Sequence, residues 1–153
     1  MNISIAELEN ILRSEVANSS SIIDCKNSIS IDGISIDSRT INKNELFIAI
    51  KGDSHDGHLF INDAIKNGAS LIISEHRVEG FPYISVDDTT DSLAEIAKFY
   101  VDKIHPIVIG VTGTNGKTSV TNMTSMILQT YKKTLSTYKN YNNQIGLPLS
   151  ILK

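Results

Sequence analysis

The chain has 153 residues, enough for one domain or for one small domain plus part of another, and its 41% hydrophobic and 20% charged residues are ordinary for a globular protein. A net charge of −3, with no basic cluster larger than Lys132-Lys133, argues against a nucleic-acid surface, and no apolar run approaches the ~20 residues of a membrane span. Cys25 is the only cysteine, so no internal disulfide can form; with Glu7 and Glu9 where a signal peptide would be apolar, the expected setting is the cytoplasm.

Ser4 and Glu7 have capping-box spacing, and Ile5, Leu8, Ile11 and Leu12 recur at helical intervals, which predicts a first helix ending near Glu15. Nothing near Cys25 marks it as an activated nucleophile. From Ser28 the period changes to two, with Ile29 and Ile31, then Ile34 and Ile36; Asp32-Gly33 shifts the phase as a turn or a bulge. Glu45 to Ile50 is a second strand candidate. A helix from Leu59 to Asn67 is stopped by Gly68. His55 and His58 are three apart but lack a matching set of Cys, Asp or His, so a cap or a satisfied core residue is expected there and no metal. Residues 70–74 and 82–86 read as short buried strands, with Glu75 to Gly80 a charged loop under little constraint. Asp87 to Asp91 is a polar junction and the expected domain boundary. A helix then starts at Ser92, whose spacing to Glu95 is again that of a capping box. It carries Leu93, Ile96, Ala97, Tyr100, Val101 and Ile104 on one face and ends at His105-Pro106.

The apolar run Ile107-Val108-Ile109 breaks into a glycine-punctuated turn ending Gly116-Lys117-Thr118, and helical spacing resumes at Val120, Met123, Ile127 and Tyr131. A strand, a glycine loop and a helix in this order make a phosphate cradle. The glycines admit a phosphate to the backbone N–H groups, Lys117 reaches the β and γ phosphates, and Thr118 offers a hydroxyl to Mg²⁺. The strict form of the loop needs glycine five positions before Gly116; Val111 stands there, with Gly110 one place too early. The methionines are expected to fill core. Thr134 to Thr137 is expected to be a strand parallel to 107–111 in a right-handed βαβ unit, followed by an Asn-rich loop that turns at Gly146 and a helix with Pro148 in its first turn. The fold class is therefore α/β: a small N-terminal α/β domain over residues 1–87, then over 88–153 the start of a P-loop α/β domain with a mainly parallel sheet.

Thr112-Gly113-Thr114-Asn115-Gly116-Lys117-Thr118 resembles the variant phosphate loop of the Mur ligase family, ATP-dependent enzymes that build the peptide stem of bacterial cell-wall precursors, and that variant accounts for Val111. Asp37-Ser38-Arg39, Leu46-Phe47-Ile48-Ala49, Lys51-Gly52 and His55-Asp56-Gly57-His58-Leu59-Phe60 are similar to the course of the N-terminal domain in members acting on the longer precursors. Asn140-Tyr141-Asn142-Asn143-Gln144-Ile145-Gly146-Leu147-Pro148 resembles the member that adds the terminal D-alanyl-D-alanine more closely than its sibling adding the third residue.

The resemblance implies that residues 1–87 bind UDP-N-acetylmuramoyl-tripeptide, with Ser38 and Arg39 as candidate contacts; a guanidinium fork suits a diphosphate or a uracil edge. It implies that Gly113, Thr114, Asn115, Gly116, Lys117, Thr118 and Ser119 hold ATP, that Lys117 is catalytic, and that Thr118 binds Mg²⁺. Asn142 and Asn143 would hold the precursor beside the γ-phosphate, and Tyr138 and Tyr141 are either stacking or packing residues. The implied reaction passes the γ-phosphate to the substrate carboxylate, and the acyl phosphate is attacked by the amine of D-alanyl-D-alanine. The enzyme it implies is a cytoplasmic monomer. In the family, a metal-binding glutamate, a histidine, a modified lysine and a third domain follow the Asn-Asn motif. The 153 residues are accordingly expected to be an N-terminal portion, inactive alone, whose partial sheet exposes strand edges prone to self-association. Two alternatives stand: the sibling ligase that adds a diamino acid, and a non-catalytic P-loop nucleotide-binding module.

Overall fold

A computed structural model of the chain describes residues 3–17, 31–52, 55–137 and 143–152; Cys25, Ile29, Tyr138, Tyr141 and Asn142 lie outside them. Helix α1 (Ile5–Leu12) opens as its sequence predicts: the Ser4 hydroxyl accepts the Glu7 N–H at 3.2 Å while the Glu7 carboxylate accepts the Ser4 N–H at 2.8 Å. This reciprocal pair satisfies two donors that a helix start leaves without partners. The helix ends at Leu12, short of Glu15, because Arg13 turns left-handed at φ 51°. The chain continues as β1 (Val16–Ala17), two residues that no periodicity could announce.

Four more strands follow: β2 (Gly33–Ser35), β3 (Glu45–Ile48), β4 (Ala69–Ser74) and β5 (Tyr83–Ser85). They form one sheet in the order β1-β5-β4-β3-β2, parallel from β2 to β5, with β1 antiparallel on the β5 edge. Between β3 and β4 the chain crosses over through a 3-10 turn (Gly57–Phe60) and α2 (Ile61–Asn67). Gly68 stops α2 at φ 117°, where a Cβ would come within 2.9 Å of the Lys43 Cα. The α/β class with a mixed, mostly parallel sheet is thus as expected.

Strand side chains alternate between faces, and each face of this sheet has its own roof. Leu46, Ile48, Leu71, Ile73 and Ile84 point to one side, where they pack with Leu8 of α1, Leu93, Ile96 and Ala97 of α3 (Thr89–Ile104), and Leu149 and Leu152 of α5 (Gly146–Leu152). Phe47, Ala49, Ile72 and Tyr83 point to the other and meet Ala64 of α2, Ile41 and Val78. Burying each large aliphatic side chain contributes ~1.5–3 kcal/mol, so these two clusters dominate the stability. Pro148 sits in the first turn of α5, where its missing N–H costs nothing.

Three expectations are corrected. Helix α3 begins at Thr89 and is capped by Asp88, whose carboxylate accepts the Thr90 and Asp91 N–H groups at 2.7 and 2.9 Å; Ser92 lies inside the helix and donates its hydroxyl to the Asp88 carbonyl. Residues 107–111 and 134–137 are not strands, and Ile107, Val108 and Ile109 are 85%, 76% and 55% exposed. A strand exists only through ladder bonds to a neighbour, and among the described residues none lies beside either segment. Helix α4 (Lys117–Gln129) forms as predicted, but Val120, Met123, Met126 and Ile127 are exposed on it, so its methionines do not fill a core.

Helices α1 and α3 are tied by the Lys103 ammonium, 2.7 Å from the Glu7 carboxylate. That hydrogen bond, followed by the one from the Ser4 N–H, lowers the Glu7 pKa from 4.5 to about 2. A carboxyl depressed by folding stabilises the fold fully above its unfolded pKa and loses that contribution as pH falls toward the folded value. In urea melts, Glu7→Gln is therefore expected to destabilise the protein at about pH 7 and to approach wild type near about pH 3; an equal deficit at both would contradict the tie.

Candidate functional site

The parallel strands all end at one edge of the sheet, the edge outside which open α/β sheets bind ligands. Beyond β2, Asp37 and Arg39 form an exposed fork: Arg39 Nε donates to Asp37 Oδ1 at 2.9 Å and Nη2 to Oδ2 at 2.7 Å. The guanidinium, assisted by the Arg39 N–H, lowers the Asp37 pKa to about 2, so the pair stays charged at neutral pH. The Arg39 side chain is 85% exposed and available to an anion. Ser38 is buried, and its carbonyl accepts the Asn67 side-chain amide at 2.7 Å. Of the two candidate contacts, Arg39 presents its polar group at the edge and Ser38 is packed beneath it.

Beyond β3, the Gly57 N–H donates to the Ile50 carbonyl at 2.8 Å, and a Cβ on Gly57 would stand 2.7 Å from that oxygen. Only glycine lets the two backbones approach so closely. Asp56 accepts the His58 N–H at 3.0 Å and holds His58 Nδ1 at 2.6 Å, lowering the Asp56 pKa. On the other side of the ring, Nε2 accepts the Glu75 N–H at 3.1 Å. A nitrogen that accepts from an N–H carries no proton, so the neutral ring bears its hydrogen on Nδ1. Both ring nitrogens of His58 are engaged, its side chain is only 6% exposed, and among the described residues no three His, Cys, Asp or Glu are grouped to hold a metal.

Glu75 in turn accepts the Thr89 N–H at 3.1 Å and lies 2.9 Å from the Thr89 hydroxyl, which is 3.1 Å from the Ala49 carbonyl. Far from being a loosely held loop, the start of the β4–β5 connection joins the ends of β3 and β4 to the head of α3. Periodicity gave no sign of this, because the partners are 14 to 40 residues apart.

The phosphate loop turns on Gly113 at φ 152° and Gly116 at φ 77°, backbone conformations that residues with a Cβ rarely adopt. Gly116 is the N-cap of α4, and among the described residues no side chain caps the helix. The helical ladder starts with the Val120 N–H donating to the Gly116 carbonyl, which leaves the N–H groups of Lys117, Thr118 and Ser119 directed outward at the positive end of the helix dipole. Those donors, with no Cβ over the turn, fit a phosphate. Lys117 Nζ folds back on the Gly113 carbonyl, and Thr114 and Asn115 form the exposed turn between the two glycines. Thr118 would supply one neutral oxygen, so Mg²⁺ would be held there chiefly by phosphate oxygens. Asn142 lies outside the described residues. The Asn143 side-chain oxygen accepts the Gly146 N–H at 2.6 Å, at the start of α5.

Because a side chain at residue 57 must push backbone apart, Gly57→Ala is expected to lower stability by about 1–3 kcal/mol in a urea melt. An unchanged midpoint would show that the contact is not tight.

Two family profiles match the chain: "Mur ligase family, catalytic domain" over residues 30–101 and "Mur ligase middle domain" over residues 111–153. A UDP-N-acetylmuramoyl-tripeptide–D-alanyl-D-alanine ligase of Buchnera aphidicola subsp. Baizongia pistaciae is 42% identical over 128 residues, 82% of this chain and 28% of that protein. A UDP-N-acetylmuramoyl-L-alanyl-D-glutamate–2,6-diaminopimelate ligase of Clostridioides difficile is 44% identical over 115 residues, 70% of this chain and 23% of that protein. Among solved structures, the Acinetobacter baumannii ligase named for D-alanyl-D-alanine addition superimposes with a TM-score of 0.87 at 26% identity, over 99% of this chain and 33% of that one. The MurF ligase of Thermotoga maritima, in complex with ADP, superimposes with a TM-score of 0.71 at 34% identity, over 78% of this chain and 28% of that one. The chain thus spans about 28% of the length of the first of these curated relatives. With the two profiles matched in order along most of its length, the chain belongs to the Mur ligase family.

Proposed function

We propose that the chain is the precursor-gripping and phosphate-gripping part of an ATP-dependent amide ligase that adds D-alanyl-D-alanine to UDP-N-acetylmuramoyl-tripeptide in peptidoglycan precursor synthesis. Residues 1–87 form the precursor-binding domain and 88–153 the first part of the ATP-binding domain. The observation that carries this reading is the uncapped start of α4 behind two positive-φ glycines, with Lys117 as its first residue. The ADP complex of the Thermotoga relative supports a nucleotide there.

Joining a carboxylate to an amine is uphill in water, and ATP supplies the phosphoryl group that turns the carboxylate into an acyl phosphate the amine can attack. The chain's own part is positioning and charge neutralisation. Lys117 leaves the Gly113 carbonyl and sets its ammonium against the β and γ phosphates. The N–H groups of residues 117–119 hold phosphate oxygens, and the Thr118 hydroxyl binds Mg²⁺. Gly113, Thr114, Asn115 and Gly116 shape the turn around them. Arg39, oriented by Asp37, takes the precursor's diphosphate, with Ser38 beneath it fixing the strand end. Asn142 and Asn143 hold the precursor near the phosphate loop. The proposed setting is a cytoplasmic, monomeric enzyme. Among the described residues no helix is long and apolar enough to cross a membrane.

The 44% identity to the Clostridioides diaminopimelate ligase favours one second reading, in which a diamino acid is the incoming amine. A panel of amino substrates on the longer ligase separates the two.

Calorimetry with Mg²⁺–ATP is expected to show uptake by the chain, weakened at least about tenfold in Lys117→Ala, the loss of a charged hydrogen bond being worth ~1.5–3 kcal/mol. In a phosphate-release assay with UDP-N-acetylmuramoyl-tripeptide, D-alanyl-D-alanine and ATP, residues 1–153 alone are expected not to turn over. Uptake that ignores the Lys117→Ala change would remove the basis of the proposal.

A further inference from the structure

We propose that His58 is a positioning residue: as a neutral imidazole it straps the 55–60 segment to the end of β4 and, through Glu75 and Thr89, to the head of α3, holding in shape the sheet edge on which the precursor binds. This rests on the substrate reading above.

The strap is continuous. Asp56 orients the ring at Nδ1, Nε2 accepts the Glu75 N–H, and the Glu75 carboxylate accepts from Thr89, which is fully buried against the Ala49 carbonyl. With the His58 side chain 6% exposed, water cannot readily replace a lost bond. The strap also depends on protonation state. A proton on Nε2 would set a donor against the Glu75 N–H, while the bond to Asp56 could persist. The groups facing the ring are Asp56, with Lys51 acting on it from the end of β3, and Glu75 and His76 from the end of β4, the two rings lying 4.6 Å apart with an interplanar angle of 43°.

Two variants separate the role of the acceptor from that of the ring. His58→Gln offers a carbonyl oxygen toward the Glu75 N–H and does not titrate, whereas His58→Phe keeps the ring and loses both polar atoms. The Glu75 amide protection factor, measured by NMR hydrogen exchange at about pH 8, is expected to be high in wild type. It should stay high in His58→Gln and be about tenfold lower in His58→Phe, and a His76→Asn control should keep the wild-type value. Calorimetry with UDP-N-acetylmuramoyl-tripeptide should give near wild-type affinity for His58→Gln and about tenfold weaker binding for His58→Phe. The proposal is overturned if His58→Gln loses the Glu75 protection, or if His58→Phe leaves Glu75 protection and affinity unchanged. Should wild type bind no precursor at any pH, the substrate reading falls and the positioning role with it, while the Glu75 amide still decides whether the strap exists.

Discussion

A central parallel strand satisfies two demands together: its backbone groups find neighbours on both sides, and its apolar side chains find cover above and below. Strands β3 and β4 meet both. Leu46, Ile48, Leu71 and Ile73 are roofed by α1, α3 and α5, and Phe47, Ala49 and Ile72 by α2 and its flanking residues. The same pair of demands explains why Ile107-Val108-Ile109, as β-branched and apolar as any strand in the sheet, stays irregular and exposed. Its composition suits a strand, and among the described residues it has no ladder to join.

Once the sheet is fixed, chemistry collects at one edge without further design. The four parallel strands deliver Asp37 and Arg39, the 55–60 segment, Glu75 and Asp88 to the same side, because each lies just past a carboxyl end. Arg39 then acquires its direction from Asp37, and His58 its tautomer from Asp56 and the Glu75 N–H. The phosphate loop is built differently, from glycine conformations and helix-end donors that need no sheet contact. That independence is why it keeps a phosphate-ready form while its neighbouring strand does not form.

What could be read from the residues divides along the range of the forces involved. The Ser4–Glu7 box, the Gly68 stop, the 46–50 and 70–74 apolar runs and the Gly113–Lys117 loop have causes within a few residues, and each is visible as a local pattern. Asp88 and Ser92 are both good caps on local grounds. The contest is settled by Thr89, whose burial against Ala49 and Glu75 requires contacts 14 and 40 residues away. Ser38 and Asn143 read as polar residues in sequence, but the burial of Ser38 and the bond from the Gly146 N–H to Asn143 Oδ1 are set by the fold. The packing of α5 on the first sheet beside α3 was equally out of reach, since Leu149 and Leu152 are apolar in any arrangement.

Helix α3 has 16 residues, which at 1.5 Å per residue makes a rod about 24 Å long. Its head is locked by Glu75 and Asp88, its tail is tied to α1 through Lys103, and His105 turns left-handed to release the chain toward the phosphate loop. Adding or deleting one residue inside such a rod would swing the departing chain by about 100°. Evolution can therefore lengthen surface connections in this protein far more easily than it can alter this one helix, whose residue count sets the bearing at which the glycine loop leaves the sheet.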